Sequence, residues 1–239
     1  MKTSINPPLV SVIVTTFNRK ELLKETINSI LKQTFIDFEL IVVDNYSDYN
    51  FIDYIKSFGD NKLIAFQNKN NGIIAVNRNY GIKKAKGKYI AFCDDDDCWD
   101  SEKLYKQVPY LMGKKIMGVG SIYSIIGSFK NTKKTSQDKI KYLKFEDVIQ
   151  SNKVALSSLI IKKRANHFFN EDRQFIGLED WYFQLNILYN NNNKIILLPD
   201  KLLYYRIHDQ NFSINADQLK RGFFVLDKYK KKINHSLYR

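Results

Sequence analysis

The sequence predicts an α/β domain with a central, mostly parallel β-sheet flanked by helices. Two observations lead there. Along the first part of the chain, β-branched and aromatic runs recur about every 25 to 30 residues, the length of one strand-plus-helix unit. The segments between them carry apolar residues at helical spacing. The runs are continuously apolar rather than alternating, as strands buried on both faces are, and helical crossovers make such strands parallel. With 239 residues, 44% of them hydrophobic, the chain is long enough for one large domain of this kind.

The elements follow in order. "LVSVIVTTF" (Leu9 to Phe17) is the first strand. It is followed by a helix whose stripe is Leu22, Leu23, Thr26, Ile27, Ile30 and Leu31, with Asn18 and Glu21 spaced as a capping box. "FELIVVDN" (Phe38 to Asn45) is the second strand, and Phe51, Ile52, Ile55 and Phe58 mark the next helix. "KLIAFQN" (Lys62 to Asn68) is the third strand; Ile74, Val76 and Tyr80 belong to a helix ending near Gly81. "KYIAFCD" (Lys88 to Asp94) is the fourth. Beyond Leu111 the rhythm weakens. Gly127 to Lys144 is lysine-rich and reads as a solvated loop or hairpin, "LSSLIIKK" and "KIILLPD" as strands, and "LEDWYFQLNILYN" as a helix with acids in its first turn. The organisation expected is one domain over residues 1–213, with a nucleotide-binding half to about residue 110 and an acceptor half over 111–213. A basic helical tail over 214–239 completes it.

In open parallel sheets, ligands sit at the carboxyl ends of the strands. Three polar clusters, "TTFNR", "DNYSD" and "DDDD", follow strand ends and should meet on one edge. The last is an electrostatic oddity. A chain of net charge +13 puts six of its 25 acids between Asp94 and Glu102. At about 6 Å and an effective dielectric of about 20, each like-charge pair costs roughly 3 kcal/mol, so a counter-charge is expected nearby. The positive balance, 31 Lys and 7 Arg, favours anionic partners. No apolar run approaches the roughly 20 residues of a membrane-spanning helix. The amino-terminal apolar run reads as a strand rather than a signal peptide, which leads us to expect a cytoplasmic protein. Cys93 and Cys98 show no thiolate metal pattern, and in a reducing compartment no disulfide is expected.

"SVIVTTFNR", "VVDNYSD", "NRNYGIKKAKGKYIAFCDDDDCW", "LEDW" and "YRIHDQNFS", in this order over Ser11 to Ser213, resemble the signatures of family 2 glycosyltransferases. That resemblance implies a GT-A fold and an inverting, non-processive hexosyl- or N-acetylhexosaminyl-transferase. The donor would be a nucleotide sugar, UDP-sugar above all, and the acceptor a glycan or lipid-linked glycan in bacterial surface polysaccharide or lipo-oligosaccharide synthesis. It also implies a DxD-type motif with Mn2+ or Mg2+ held by hard carboxylate oxygens, offsetting charge on the leaving diphosphate. By position, Asp96 is then the metal ligand, Asp94 contacts the ribose or shares the metal, and Asp97 orients the site. Asp95 fills a variable slot, with a solvent-facing carboxylate and little consequence for alanine. Asp44 is expected to accept from the base, whose imide N–H suits a carboxylate. Thr16, Phe17 and Asn18 wrap base and ribose. Tyr46 stands where the family often has glycine, which leaves the base contacts open. Arg78 approaches the nucleotide, and Asn79 holds the strand end. Gly81 and Gly87 allow close packing. Asp180 is the catalytic base, on the face opposite the leaving group. Glu179 binds the acceptor or orients the helix, His208 is a metal or phosphate ligand, and Arg206 contacts phosphate.

Two other classes were weighed on the residues. A sugar-1-phosphate nucleotidyltransferase would share the sheet but open with a glycine-rich phosphate loop, and "TTFNRKE" has no glycine. A nucleic-acid-binding module would suit the charge, yet the lysines are scattered and the most cohesive polar cluster is acidic, so no nucleic-acid partner is expected. "QLKRG" lacks the tryptophan of the processive synthases' "QxxRW". The tail from Lys220 is either a surface for peripheral contact with an anionic membrane or a solvated helix end.

Overall fold

A computed structural model describes residues 6–127, 138–190, 192–208 and 216–230. In chain order the elements are β1 (Val10–Thr16), α1 (Lys20–Leu31), β2 (Phe38–Asp44), α2 (Phe51–Lys56), β3 (Leu63–Gln67), α3 (Ile74–Lys84), β4 (Tyr89–Asp94) and β5 (Cys98–Trp99). They continue with α4 (Lys103–Gln107), β6 (Ile116–Gly127), β7 (Lys141–Leu143), α5 (Phe145–Val148), β8 (Ile160–Lys162), α6 (Glu179–Leu188), β9 (Lys194–Ile207) and α7 (Ala216–Lys228). The strands form one sheet in the order β3-β2-β1-β4-β8-β6-β9-β5, with β7 paired to β9.

β1, β2, β3 and β4 are mutually parallel. Their continuous hydrophobicity has the predicted cause. Val10, Val12, Val14, Leu40 and Val42 pack on one face with Leu23 and Ile27, while Ile13, Ile41 and Val43 pack on the other with Ala75 and Ile82. β3, the edge strand, is only half-buried. Past β4 the sheet turns mixed: β8 runs antiparallel to both β4 and β6. β9 continues through Pro199, and the pairing to β6 jumps from Leu198 to Lys201 there, because proline has no N–H to give the ladder.

Three local expectations are corrected. Asn18 does not cap α1, which starts at Lys20 after Arg19 with no side-chain cap. Asn18 sits in the left-handed region (φ 53°) and instead ties two strand ends. Its N–H donates to Ser47 Oγ, and its Oδ1 accepts from the Asp48 N–H, both at 2.8 Å. α3 does not end at Gly81 but runs to Lys84. A Cβ at Gly81 would lie 2.6 Å from Ile13 Cγ2, so this glycine lets the helix press onto β1 rather than stopping it. Asn79 holds no strand end: its side chain accepts from the Phe169 N–H and donates to the Phe169 carbonyl, clamping a later loop.

Within Gly127 to Lys144, the short strand β7 pairs antiparallel with the distant β9 rather than closing a local hairpin, and residues 128–137 lie outside the described residues. The C-terminal helix α7 forms, and Val225 and Tyr229 bury against α6, with the Tyr229 hydroxyl donating to Asn186 Oδ1 at 2.6 Å. Among the described residues, no helix is long and apolar enough to cross a membrane.

Candidate active site

The parallel register sets the site. Thr16, Asp44 and Gln67 lie in one row across β1, β2 and β3, and Asp94 pairs with Thr15 on the other side. The strand-end clusters therefore converge on one edge, as a parallel sheet requires.

Thr16 turns its hydroxyl to Asp95 Oδ2 at 2.7 Å. Phe17, 51% exposed, joins Asn45, Tyr46, Lys69 and Asn71 around an open cavity of about 520 Å³. Tyr46 adopts φ 59°, reproducing with a side chain the turn a glycine would make. Asp44, the residue before Asn45, is fully buried; it accepts from the Ser47 hydroxyl and N–H and from Gln67 Nε2. Any contact from this carboxylate to a base is thus shared with Ser47 and Gln67, neither of which the sequence singled out.

The four aspartates take separate surroundings. Asp94 Oδ1 accepts from Arg78 Nη2 at 2.8 Å, and its N–H is held by Ser157 Oγ. Asp95 is the clear correction: it does not face solvent. It is 5% exposed, its two oxygens hold Thr16 and Arg19, and burial pushes its carboxyl up to about 6. Asp96 Oδ2 lies 3.0 Å from both Arg19 Nη1 and His208 Nε2. Asp97 accepts from the Arg206 N–H at 2.9 Å, and burial raises its carboxyl well above the usual range. Arg206 turns its side chain to the Asp96 carbonyl and to Glu25. The acid block thus draws its guanidinium partners from Arg19 and Arg78, while Arg206 reaches it through its main-chain N–H and the Asp96 carbonyl and His208 through a ring nitrogen. Cys93 and Cys98 are both free.

On the other side of Arg78, Glu179 and Asp180 open α6. Glu179 is buried, accepting from Arg78 Nη1 at 2.9 Å and the Gly177 N–H at 2.6 Å. Asp180 accepts from Asn152 Nδ2 and the Trp181 N–H, each at 2.7 Å. Burial, and after it the Glu179 charge, push the Asp180 carboxyl up to about 6 despite Arg78. Arg78 therefore ties β4 to α6. Burial works against its charge, but Asp94 and Glu179 outweigh that and hold the guanidinium protonated.

The fit of a hard divalent cation is tested by Asp96 and His208. Asp96 Oδ2 and His208 Nε2 are in hydrogen-bond contact at 3.0 Å, and the carboxylate oxygen is the donor type that suits Mn2+ or Mg2+. Among the described residues no group of three or more His, Cys, Asp and Glu converges. The pair suits an ion completed by phosphate oxygens and water, as Mg2+ commonly is.

Comparisons with known proteins define the class first. The structure matches S. aureus TarS residues 1–349, solved in complex with UDP-GlcNAc, with a TM-score of 0.75 at 20% identity, covering 95% of this chain and 68% of that one. It also matches the mannosyltransferase PcManGT of Pyrobaculum calidifontis, solved with GDP-Man and Mn2+, with a TM-score of 0.67 at 16% identity over 96% and 66% of the two chains. The fold is that of GT-A glycosyltransferases. The Glycosyl transferase family 2 sequence model matches residues 11–176, and the chain belongs to that family. A UDP-Glc:alpha-D-GlcNAc-diphosphoundecaprenol beta-1,3-glucosyltransferase, WfgD of Escherichia coli, is 30% identical over 91% of this chain and 85% of its own length. The protein is a glycosyltransferase.

Proposed function

We propose that the protein transfers one sugar from a nucleotide sugar, a UDP-sugar, to a hydroxyl of a lipid-linked or other glycan acceptor, with inversion at the anomeric carbon. The observation that carries this is the bridge made by Arg78, which ties Asp94 of the strand edge to Glu179 on α6 and so holds Asp180, the next residue, near the acid block Asp94 to Asp97. The names of the relatives support the donor and acceptor classes, since WfgD is named for a UDP-Glc donor and a diphosphoundecaprenol-linked acceptor. On this reading the protein works in bacterial surface polysaccharide or lipo-oligosaccharide synthesis, at the inner face of the cytoplasmic membrane.

The nucleotide base lies in the cavity by Phe17 and Tyr46, near Asp44 with Ser47 and Gln67. Asp94 takes the ribose side. Asp96 and His208 would hold Mn2+ or Mg2+, which when bound would supply Lewis-acid stabilisation of charge on the departing diphosphate. Asp180 removes the acceptor hydroxyl proton as that oxygen attacks the anomeric carbon. The bond from that carbon to the phosphate oxygen breaks, and its electron pair leaves with the nucleoside diphosphate. Glu179 keeps the start of α6 fixed by taking both Arg78 and the Gly177 N–H. Asn152, donating to Asp180 Oδ2, leaves Oδ1 to the Trp181 N–H and fixes the carboxyl's orientation. Chelation with EDTA is expected to abolish transfer, with recovery on adding Mn2+ or Mg2+, followed by release of the nucleoside diphosphate. An undiminished rate without divalent metal would refute the roles of Asp96 and His208.

A further inference from the structure

Arg19 has no part in the reading above, yet it makes the closest cationic contacts to the middle of the acid block. Its Nη1 lies 3.1 Å from Asp95 Oδ1 and 3.0 Å from Asp96 Oδ2. That second oxygen is the one His208 Nε2 also contacts at 3.0 Å, the pair proposed above to hold a cation. Two positive centres cannot both sit on one carboxylate oxygen at ligand distance without strong repulsion. The guanidinium therefore stands in the way of metal binding at Asp96.

The surroundings show which part gives way. Asp96 is held from behind, where its carbonyl accepts from Arg206 Nε at 2.8 Å, and its side chain is only 11% exposed. The Arg19 backbone is fixed by the left-handed Asn18 and its bonds to Ser47 and Asp48. The Arg19 side chain, 31% exposed, is the long and movable member of the contact. A guanidinium leaving two carboxylates needs another anion, and its planar fork matches phosphate oxygens.

We propose that Arg19 is the resident counter-ion of the acid block. It neutralises Asp95 and Asp96 and releases Asp96 when a nucleoside diphosphate arrives to take the guanidinium. Metal and nucleotide then bind as a coupled pair, and metal alone binds weakly. The inference rests on the proposed metal role of Asp96 and His208, and goes beyond it by making Arg19 the source of the coupling.

The test is a Mn2+ titration followed by electron paramagnetic resonance, with and without UDP, on the wild type, R19M and R19K. In the wild type UDP should tighten Mn2+ binding about tenfold or more, within the usual range of coupling between two ligands. In R19M, Mn2+ alone should bind about tenfold tighter than in the wild type, and the gain from UDP should shrink by a similar factor. R19K keeps the charge and should retain weak binding of metal alone, whatever it does to UDP. If R19M lowers the fold's stability, R19Q gives the same comparison with a polar side chain. R19M and R19Q binding Mn2+ alone no tighter than the wild type, while the wild type still binds it with UDP, would overturn the role of Arg19. A wild type that takes no Mn2+ even with UDP would overturn the metal reading of Asp96 and His208 as well.

Discussion

At the residue scale, the account turns on carboxylates whose neighbours assign them different tasks. Asp180, raised to about 6 by burial and Glu179, is mostly ionised at neutral pH yet basic enough to take a proton. Transfer should therefore fall about tenfold per pH unit below about pH 6 and level off above it, as a pH profile of kcat/KM would show. The sign for stability is the reverse. A folded carboxyl that holds its proton more tightly than the unfolded chain makes this group's ionisation costly as pH rises from about 4 to about 6. Asp95 carries the second prediction. As a buried acceptor for Thr16 and Arg19, its replacement by alanine should cost about 1 to 3 kcal/mol of stability and weaken donor binding, measured by urea unfolding and by nucleotide titration. A fully stable Asp95→Ala variant with normal UDP binding would restore the solvent-facing role that the sequence suggested. The sequence marked the acid block through its charge density, but four adjacent aspartates look alike in a string. Only the twist of the turn after β4 decides which of them points inward. Arg19 was visible in "TTFNR" and went unassigned because nothing local pairs it with residues so far along the chain.

At the scale of elements, the parallel strands were legible because both faces are buried, so each apolar run reads without interruption. The helices of the first half were legible from their stripes. Their ends were harder: Asn18 has a cap's chemistry but spends it on Ser47 and Asp48, and Gly81 looked like a stop but is a contact. The join between α3, β4 and α6 was not legible, since it depends on one arginine reaching carboxylates on two other elements. Arg78 is 5% exposed, and removing it leaves Asp94 and Glu179 without their shared cation. Arg78→Ala should cost about 3 kcal/mol or more in urea unfolding, as expected when a buried pair loses one partner. Donor binding and turnover should fall together, because the same guanidinium ties β4 to α6. A change under about 0.5 kcal/mol, the usual range of an exposed substitution, would show that the bridge has no structural role.

At the scale of the whole molecule, one sheet carries two kinds of edge. The parallel strands β1 to β4 gather the acids and the open cavity, while the mixed strands β8, β6 and β9 carry Arg206 and His208 back to the acid block from the far end of the chain. On the proposed function, the division of labour would follow from topology: the leaving group held at strand ends, and the base at the start of α6, tied to them through Arg78. The most direct test is Asp180→Asn, assayed for transfer from UDP-sugars and, in parallel, for UDP-sugar binding with Mn2+. The account predicts binding close to the wild type and a rate lower by about 10²-fold to 10⁴-fold, the usual contribution of a general base. An Asp180→Asn enzyme that transfers sugar at the wild-type rate would contradict it.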